Sequence, residues 1–445
     1  MYKLLQNNRF LWVLLHLALG VFIGIPLLTS VLSLGIVMFG FVIIIARRNE
    51  HQEAVLFSAY LVGSEVLFRM SGGAVLHELT KYAVMVFLVI GMIVEPKKHH
   101  VNPVYLLYLM LLLVGIAFTD VPFSESIRNA VAFNLSGPFA LGVAAMYFYN
   151  RKISLDQLLR FLFYMSLPVL TMLSYLFLKT PAPQEIVFGT QSNFEASGGF
   201  GPNQVATILG IGFFILAVHI LLKKEFSGIR WLDLILLIYI FYRTLLTFSR
   251  GGLYTVLVAL GFFAFFILVM QKNRIKNVVK YGSIIGIMFI AVWLFTSNVT
   301  GGMLENRMMN MNALGEYRSG DVTTGRADIF AQELESFYEN PFFGIGVGSS
   351  KFHRMEITGK EVASHNEMSR LLSEHGGIGL IILGLLILVP LYQIKQQSYL
   401  AKAFLSAFFV IWFLTINHSA MRVALPAFFY GLSTIQLMKK DSELT

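Results

Sequence analysis

Long apolar runs recur along almost the whole chain, and they restrict what it can fold into. Each run has about 16 to 22 residues, which as a helix suits a hydrocarbon layer roughly 30 Å thick. A chain of 445 residues with 56% hydrophobic and 13% charged side chains has more apolar surface than one soluble core can bury. We therefore expect an all-α, polytopic integral membrane protein with about 12–14 transmembrane helices.

Fourteen candidate spans can be delimited. They are residues 10–28, 31–46, 53–69, 79–94, 103–119, 130–149, 157–178, 203–222, 231–247, 251–270, 279–297, 374–394, 400–417 and 422–437. The first span follows Lys3 and Arg9 as a signal peptide would, but no small-residue cleavage site comes after it. We expect an uncleaved first helix. The first and last pairs also fit re-entrant helices.

Basic residues cluster in alternate loops between these spans. The clusters contain Arg47, Arg48, Lys97, Lys98, Arg151, Lys152, Lys223, Lys224, Arg230, Lys272, Arg274, Lys276, Lys280, Lys395, Lys402, Lys439 and Lys440. By the positive-inside rule these loops and both termini are cytoplasmic. The net charge of +9 is then a topology signal, and we expect no nucleic-acid partner. Because the chain has no cysteine, disulfides, thiolate nucleophiles and cysteine-based metal sites are excluded.

The polar stretches with unusual chemistry all fall on the opposite, outer face. That face receives residues 70–78, 120–129, 179–202, 249–252, 298–373 and 418–421. We therefore expect no soluble cytoplasmic cofactor or nucleotide substrate. The organisation predicted from this pattern has four segments: N-terminal transmembrane helices (1–200), further core helices (201–297), a long outer loop (298–373) and C-terminal helices (374–445).

The long outer loop has the periodicity of a helix. Thr323 or Thr324 can cap a helix that runs to about Tyr338 and ends at Asn340-Pro341. Its apolar stripe, which Arg326 extends at the first turn, is expected to face the membrane domain and contains Phe330, Leu334 and Phe337. The carboxylates of Asp328, Glu333, Glu335 and Glu339 have solvent-facing spacing, so a paired-carboxylate glycosidase mechanism is not indicated. The glycines at 344, 346 and 348 lack the preceding strand of a nucleotide-binding loop.

A second helix start follows in the same loop. Ser364 and Glu367 fit a capping box, which would put His365 and Asn366 in the first turn. The positive end of the helix dipole disfavours an imidazolium there, and a neutral imidazole is what a general base requires. Taken alone, such a histidine is more often a cap or packing residue than a base. The spacing of the neighbouring histidines matches no metal-ligand pattern.

Two arginines lie at or near the outer ends of spans. Arg250 begins a span and precedes two glycines, which leave its backbone open to a ligand; alone, it also fits a snorkelling side chain. Arg243 lies two turns earlier, and an arginine inside the membrane is a functional candidate unless a carboxylate such as Glu65 or Asp233 pairs with it. With Arg326 they would offer cationic forks suited to a lipid diphosphate.

Other outer residues complete the candidate set. Asn203 starts a span, and His418 and Arg422 lie at another outer turn, where they either line the same cavity or anchor a helix end. Glu65 and Arg69, four residues apart within one span, predict a buried salt bridge. The same pair is the best sequence support for a transporter, since polar pairs inside membranes line pathways.

Five motifs in the second half resemble those of the O-antigen ligase superfamily, which includes O-antigen and exopolysaccharide polymerases and some protein O-oligosaccharyltransferases. They are GPNQVA at 201–206, TFSRGG at 247–252, GRADIF at 325–330, NPFFGIGVG at 340–348 and SHNEMSRLLSEHGGIG at 364–379. Their order and shared face make the resemblance specific. The first half is similar only in its hydrophobic spans.

The resemblance implies a glycosyltransferase in the bacterial inner membrane with a periplasmic active site. It implies inverting, metal-independent transfer, without a cofactor, from an undecaprenyl-diphosphate-linked glycan to a saccharide or lipid A-core acceptor. Arg250 and Arg326 match the arginines that hold the diphosphate, and His365 matches the base or acceptor-positioning histidine. Candidate substrate-binding residues are Arg243, Asn203, Asn366, Arg422 and His418. A flippase for lipid-linked saccharides, a scaffold and a protein O-oligosaccharyltransferase remain alternatives.

Overall fold

A computed structural model describes residues 8–96, 101–271, 274–317, 325–359 and 362–438. These residues form α-helices and one two-stranded sheet, which confirms the all-α polytopic prediction. The helices are α1 (Arg9–Phe22), α2 (Pro26–Ala46), α3 (Glu53–Met70), α4 (Leu79–Val94), α5 (Pro103–Val114), α6 (Ile127–Phe148), α7 (Leu155–Lys179), α8 (Pro202–Leu221), α9 (Arg230–Leu246), α10 (Arg250–Val269), α11 (Arg274–Val299), α12 (Met303–Met308), α13 (Arg326–Glu339), α14 (Ser350–Thr358), α15 (Glu367–Lys395), α16 (Tyr399–Ser419) and α17 (Leu425–Leu432). The parallel strands are β1 (Lys152–Ser154) and β2 (Gln436–Met438).

Seven of the described helices are long and apolar enough to cross a membrane. They are α2, α6, α7, α8, α10, α15 and α16. Four shorter apolar segments accompany them, at Arg9–Phe22, Leu79–Val94, Pro103–Phe118 and Ile285–Val299. The span predicted at 422–437 is wrong in extent, because its helix has eight residues, all buried. Flanking apolar residues had extended the run beyond the helix, which is too short to cross a hydrocarbon layer.

The loops lie at two ends of the helix bundle. The basic loops lie at one end and the predicted outer loops lie at the other. At one end, Arg422 Nη2 donates to the Ser364 carbonyl at 3.1 Å, and Val347 N donates to the Gly115 carbonyl at 3.1 Å. At the other end, Arg151 pairs with Glu95 at 2.8 Å, next to the β1–β2 sheet. The assignment of these ends to periplasm and cytoplasm stays a prediction.

The 344–348 glycine loop packs tightly between two other segments of the outer end. Gly346 has φ +87°, and a Cβ there would lie 2.0 Å from the Phe118 carbonyl oxygen. Ile345 N donates to the Ser373 carbonyl at 2.9 Å. Only glycine allows the backbones to approach so closely, so this motif connects the 3₁₀ turn after α5 (Gly115–Phe118) to α15.

Helix α13 ends at Asn340 as predicted, but its buried face differs from the prediction. Thr323 and Thr324 lie outside the described residues, and Gly325 occupies the N-cap position. Glu333 and Ser336 are buried, whereas Phe330 is 41% exposed. The helix packs on polar groups of α14 and α15, so its polar face turns inward. The prediction that Glu333 faces solvent was therefore wrong.

The cap of α15 also differs from the prediction. Asn366 is the N-cap, and its side-chain oxygen accepts from Met368 N at 2.8 Å and Ser369 N at 3.3 Å. Ser364 instead exchanges short-range hydrogen bonds with the Asn366 backbone. His365 consequently precedes the helix rather than lying in its first turn. The helix runs on as predicted through a kink at Gly376.

Candidate active site

The turn that carries His365 docks against the turn between α16 and α17. Ala420 N donates to the His365 carbonyl at 3.1 Å, and Arg422 donates to the neighbouring Ser364 carbonyl. Both bonds run in the same direction, from donors in the α16–α17 turn to carbonyls in the turn that carries His365. His365 therefore has a fixed backbone position although it lies outside a helix.

The surroundings of His365 lower its pKa to about 4. Burial is the largest cause, followed by the positive charges of Arg422, Arg326 and Arg354 and by His418. A neutral imidazole near pH 7 is thus what the fold favours, as predicted. The physical cause is different, since burial and arginine charges act here in place of the dipole of a first helical turn.

Arg326 and Arg250 come from distant parts of the sequence but act on each other. Arg326 opens α13 and Arg250 opens α10. Burial lowers the pKa of the Arg326 guanidinium, and the charge of Arg250 lowers it further. The pKa of Arg422 is also lowered, first by burial and then by Arg370 and Arg326. Such an arrangement of cations is stabilised by an anion that enters between them.

His418 occupies the space beside the two glycines that follow Arg250. A Cβ at Gly251 would lie 2.5 Å from the His418 ring, and a Cβ at Gly252 would lie 2.8 Å from Ala206. The His418 ring nitrogens lie 2.8 Å from the Leu414 carbonyl and 3.4 Å from Thr207 Oγ1. His418 and Ala206 therefore fill the space beside these glycines, whereas the sequence suggested that this space would be open to a ligand.

Glu65 and Arg69 form the predicted buried ion pair, at 2.6 Å. Glu65 also accepts from Ala424 N at 2.7 Å, and Arg69 Nη1 donates to the Arg422 carbonyl at 3.0 Å. Both side chains thus hold the turn that presents Arg422. Their task is structural, which removes the main sequence support for a transporter.

Further buried charges support the same turn from behind. Lys81 pairs with Glu78 and donates to Ser136 Oγ at 2.9 Å, while Glu367 pairs with Arg370. Among these side chains and the His365 turn lies a cavity of about 30 Å³. It is about the size of one water molecule.

Three of the predicted substrate-binding residues have structural partners. The Asn203 side-chain oxygen accepts from Ser249 Oγ at 2.8 Å, next to Arg250, and Asn366 caps α15. Arg243 is buried and donates to Thr180 Oγ1 and the Ala196 carbonyl, both at 3.1 Å. It thus holds the loop that follows α7 and is not brought to His365. Any contact of these residues with substrate stays a prediction.

Sequence reasoning missed Glu333 and Arg354. Arg354 Nη2 lies 2.8 Å from Glu333 Oε1, and Ser369 Oγ donates to the other carboxylate oxygen. Both charged residues are buried. Glu333 lies seven residues after Arg326 and so on the same face of α13, a spacing that could have identified it. Arg354 has no comparable sequence signal.

Metal-ligating side chains do not gather within the described residues. In those ranges no group of three or more histidine, aspartate or glutamate residues is arranged to hold a metal ion. His353 lies 4.0 Å from Glu339, and His375 packs against Gly115.

The fold and site define a polytopic membrane protein with a histidine among arginines at one end of its helix bundle. Residues 235–384 match the family model described as O-antigen ligase. This stretch includes Arg250, Arg326 and His365, and the match confirms the resemblance to the O-antigen ligase superfamily. Comparison with curated proteins gave no match. The match supports glycan transfer of the O-antigen ligase type, in polysaccharide biosynthesis at a membrane.

Proposed function

We propose that the protein transfers a glycan from undecaprenyl diphosphate to a sugar hydroxyl at the periplasmic face of the bacterial inner membrane. It acts as an O-antigen ligase or as an O-antigen or exopolysaccharide polymerase. Both activities use the same donor and differ in the acceptor, a lipid A-core saccharide or another lipid-linked repeat unit. The single observation that carries the proposal is the convergence of Arg326 and Arg422 on His365, with Arg250 acting on Arg326.

In the proposed reaction the acceptor oxygen attacks the anomeric carbon of the donor. A new C–O bond forms as the bond to the diphosphate oxygen breaks, and attack from the opposite side inverts the configuration. The diphosphate leaves with the electron pair, and the arginines stabilise its growing charge. Neutral His365 takes the proton that the acceptor hydroxyl loses. Every group in this scheme belongs to the chain or its substrates, so we propose a metal-independent reaction.

The alternatives have less support. A flippase needs polar groups along a path through the membrane, and the intramembrane pair that suggested one is bonded to the Arg422 turn. A protein O-oligosaccharyltransferase would share the donor and differ only in its acceptor.

Product analysis in a deletion strain tests the proposal. The strain is complemented with wild type, His365→Ala or the control His353→Ala, and protein levels are matched by immunoblot. Surface polysaccharide and lipid-linked intermediates are then measured together. His353→Ala should restore surface glycan, whereas His365→Ala should not.

The accumulated intermediate distinguishes the two activities. Single lipid-linked repeat units indicate a polymerase, and full-length lipid-linked glycan indicates a ligase. If His365→Ala restores surface glycan as well as wild type does, the proposed catalytic role of His365 is wrong.

A further inference from the structure

Another polar cavity lies at the opposite end of the bundle from His365, with a volume of about 260 Å³. Helices α1 and α7 and the loop after α8 contribute most of its walls. Its lining includes three cations and two carboxylates, namely Arg9, Arg160, Lys224, Asp156 and Glu225. The site thus offers both signs of charge in one open cavity.

Two guanidinium groups, those of Arg9 and Arg160, line this cavity. Arg9 Nη1 donates to the Glu225 carbonyl at 2.8 Å, and its guanidinium carbon lies 5.3 Å from the centre of the Phe163 ring. The positive charge of Arg160 and the negative charge of Asp156 both act on Arg9. An anion between the arginines would relieve their repulsion and accept forked hydrogen bonds.

The carboxylates on the same wall already attract cations, since Asp156 lies 4.0 Å from Lys224 and Glu225 lies 3.1 Å from Arg230. Such exposed pairs are weak, so a ligand ammonium group can compete for the carboxylates.

Local hydrogen bonds fix the backbone on both sides of the cavity. The buried carboxylate of Asp233 accepts from Phe226 N and Ser227 N, each at 2.8 Å, and so holds the loop that carries Lys224 and Glu225. A capping box between Ser154 and Gln157 fixes the start of α7. The charged groups therefore project from rigid backbone, as expected of a preformed site.

The remaining lining is apolar and aromatic. Trp12, Leu56, Phe163 and Tyr164 contribute to it, and the face of α1 next to Trp12 is exposed, with Leu15 at 44% and Phe22 at 55%. Tryptophan and tyrosine are enriched where protein meets the membrane–water interface. The cavity therefore adjoins the acyl-chain region, where a lipid headgroup lies.

We propose that this cavity binds the headgroup of a zwitterionic phospholipid with a primary ammonium group, such as phosphoethanolamine. The phosphate lies between Arg9 and Arg160, the ammonium group faces Asp156 and Glu225, and the acyl chains follow the exposed face of α1. The cavity is smaller than typical pockets for drug-sized ligands, which suits a headgroup better than a lipid-linked glycan. This inference is independent of the proposed glycan transfer.

Native mass spectrometry of the full chain in detergent tests the site. Wild type is titrated with phosphatidylethanolamine, phosphatidylglycerol and phosphatidylcholine, and with inorganic phosphate and glycerophosphoethanolamine as lipid-free probes. We expect phosphatidylethanolamine to bind most tightly and the lipid-free probes to bind far more weakly. The double variant Arg9→Gln/Arg160→Gln should bind phosphatidylethanolamine about tenfold or more weakly than wild type does. This is the effect of losing a charge-assisted hydrogen bond. Lys395→Gln removes an exposed cation at the same end and should bind like wild type.

A second pair of variants separates the two halves of the headgroup. Asp156→Asn/Glu225→Gln should abolish the preference for phosphatidylethanolamine over phosphatidylglycerol while retaining phosphate binding. If Arg9→Gln/Arg160→Gln fails to give a monodisperse protein, Arg9→Lys/Arg160→Lys takes its place. This variant keeps both charges but loses the forked guanidinium hydrogen bonds, so it should bind phosphatidylethanolamine more weakly than wild type. Equal binding of all three lipids to wild type, or unchanged selectivity in the variants, would overturn the proposal. So would binding of inorganic phosphate as tight as that of the lipid.

Discussion

At the scale of single residues, His365 is defined by the charges around it. Half-buried near Arg422, Arg326 and Arg354, its imidazole stays neutral to well below its ordinary titration range. It is thus available as a base throughout the physiological pH range. Because His365 precedes the helix, its backbone carbonyl accepts from Ala420 N rather than from a residue of the helix.

The low pKa of His365 predicts the acid limb of the pH profile. Because the base is active when neutral, kcat/KM of the wild type should stay level on acidification and fall only as pH approaches about 4. Arg326→Gln removes a charge that lowers this pKa, so its residual activity should fall at a higher pH. Purified protein with a lipid-diphosphate donor provides the measurement, and exposed Arg128→Gln is the control. An acid limb at the ordinary histidine value, the same in every variant, would refute this electrostatic account.

Small residues control the site as well. A methyl group at Gly251 would meet the His418 ring, whereas Gly261, in the same helix, has open space around its Cβ position. Overpacking of this kind costs about 1–3 kcal/mol. Gly251→Ala should therefore lower transfer by about tenfold, while Gly261→Ala should leave it unchanged and slightly raise the melting temperature. Equal activity of Gly251→Ala and Gly261→Ala would show that transfer does not depend on the close packing of His418 against Gly251.

At the scale of elements, one ion pair attaches α13 to the rest of the outer end. Glu333 bonds to Arg354 of α14 and to Ser369 of α15. Arg326 lies two turns earlier on the same face. The orientation of Arg326 toward His365 thus depends on Glu333.

Glu333→Ala should release α13. The change leaves Arg354 buried without its counter-charge, a defect that costs about 3–5 kcal/mol and that local detachment of the helix relieves. We expect faster hydrogen exchange over 326–339 and a lower kcat/KM, whereas exposed Glu335→Ala should change neither. If residues 326–339 exchange hydrogen as slowly in Glu333→Ala as in wild type, α13 is held by other contacts.

At this scale the sequence predicted some features and not others. Apolar runs located the helices because hydrophobic length is a local property, and the i, i+4 spacing of Glu65 and Arg69 identified their pair. The cap of α15 was missed because Ser364 and Asn366 are both good caps, and the contact of Ala420 with His365 comes from a distant segment. The inward face of α13 was missed because amphipathic periodicity assumes an apolar partner.

At the scale of the whole molecule, the two ends of the bundle carry different chemistry. One end gathers His365 with arginines that are far apart in sequence, and the other gathers most of the basic loops. The motifs indicated the members of the first group, but not that buried carboxylates such as Glu65 hold them in place. Those contacts join residues hundreds of positions apart, which local patterns do not encode.

The absence of cysteine allows a direct test of sidedness. Exposed Glu125→Cys lies at the end with His365, and exposed Glu50→Cys lies at the opposite end. In intact spheroplasts a membrane-impermeant maleimide should label Glu125→Cys, and it should label Glu50→Cys only after permeabilisation. The reverse pattern would put the candidate site in the cytoplasm.

The central claim is that arginines hold the donor diphosphate while His365 accepts the acceptor proton. The most direct measurement is donor binding and single-turnover transfer by purified wild type, His365→Ala and Arg326→Gln. The account predicts that His365→Ala binds donor like wild type but transfers at least about a hundredfold more slowly, whereas Arg326→Gln binds donor more weakly. Near-wild-type transfer by His365→Ala, or unchanged donor affinity in Arg326→Gln, would contradict it.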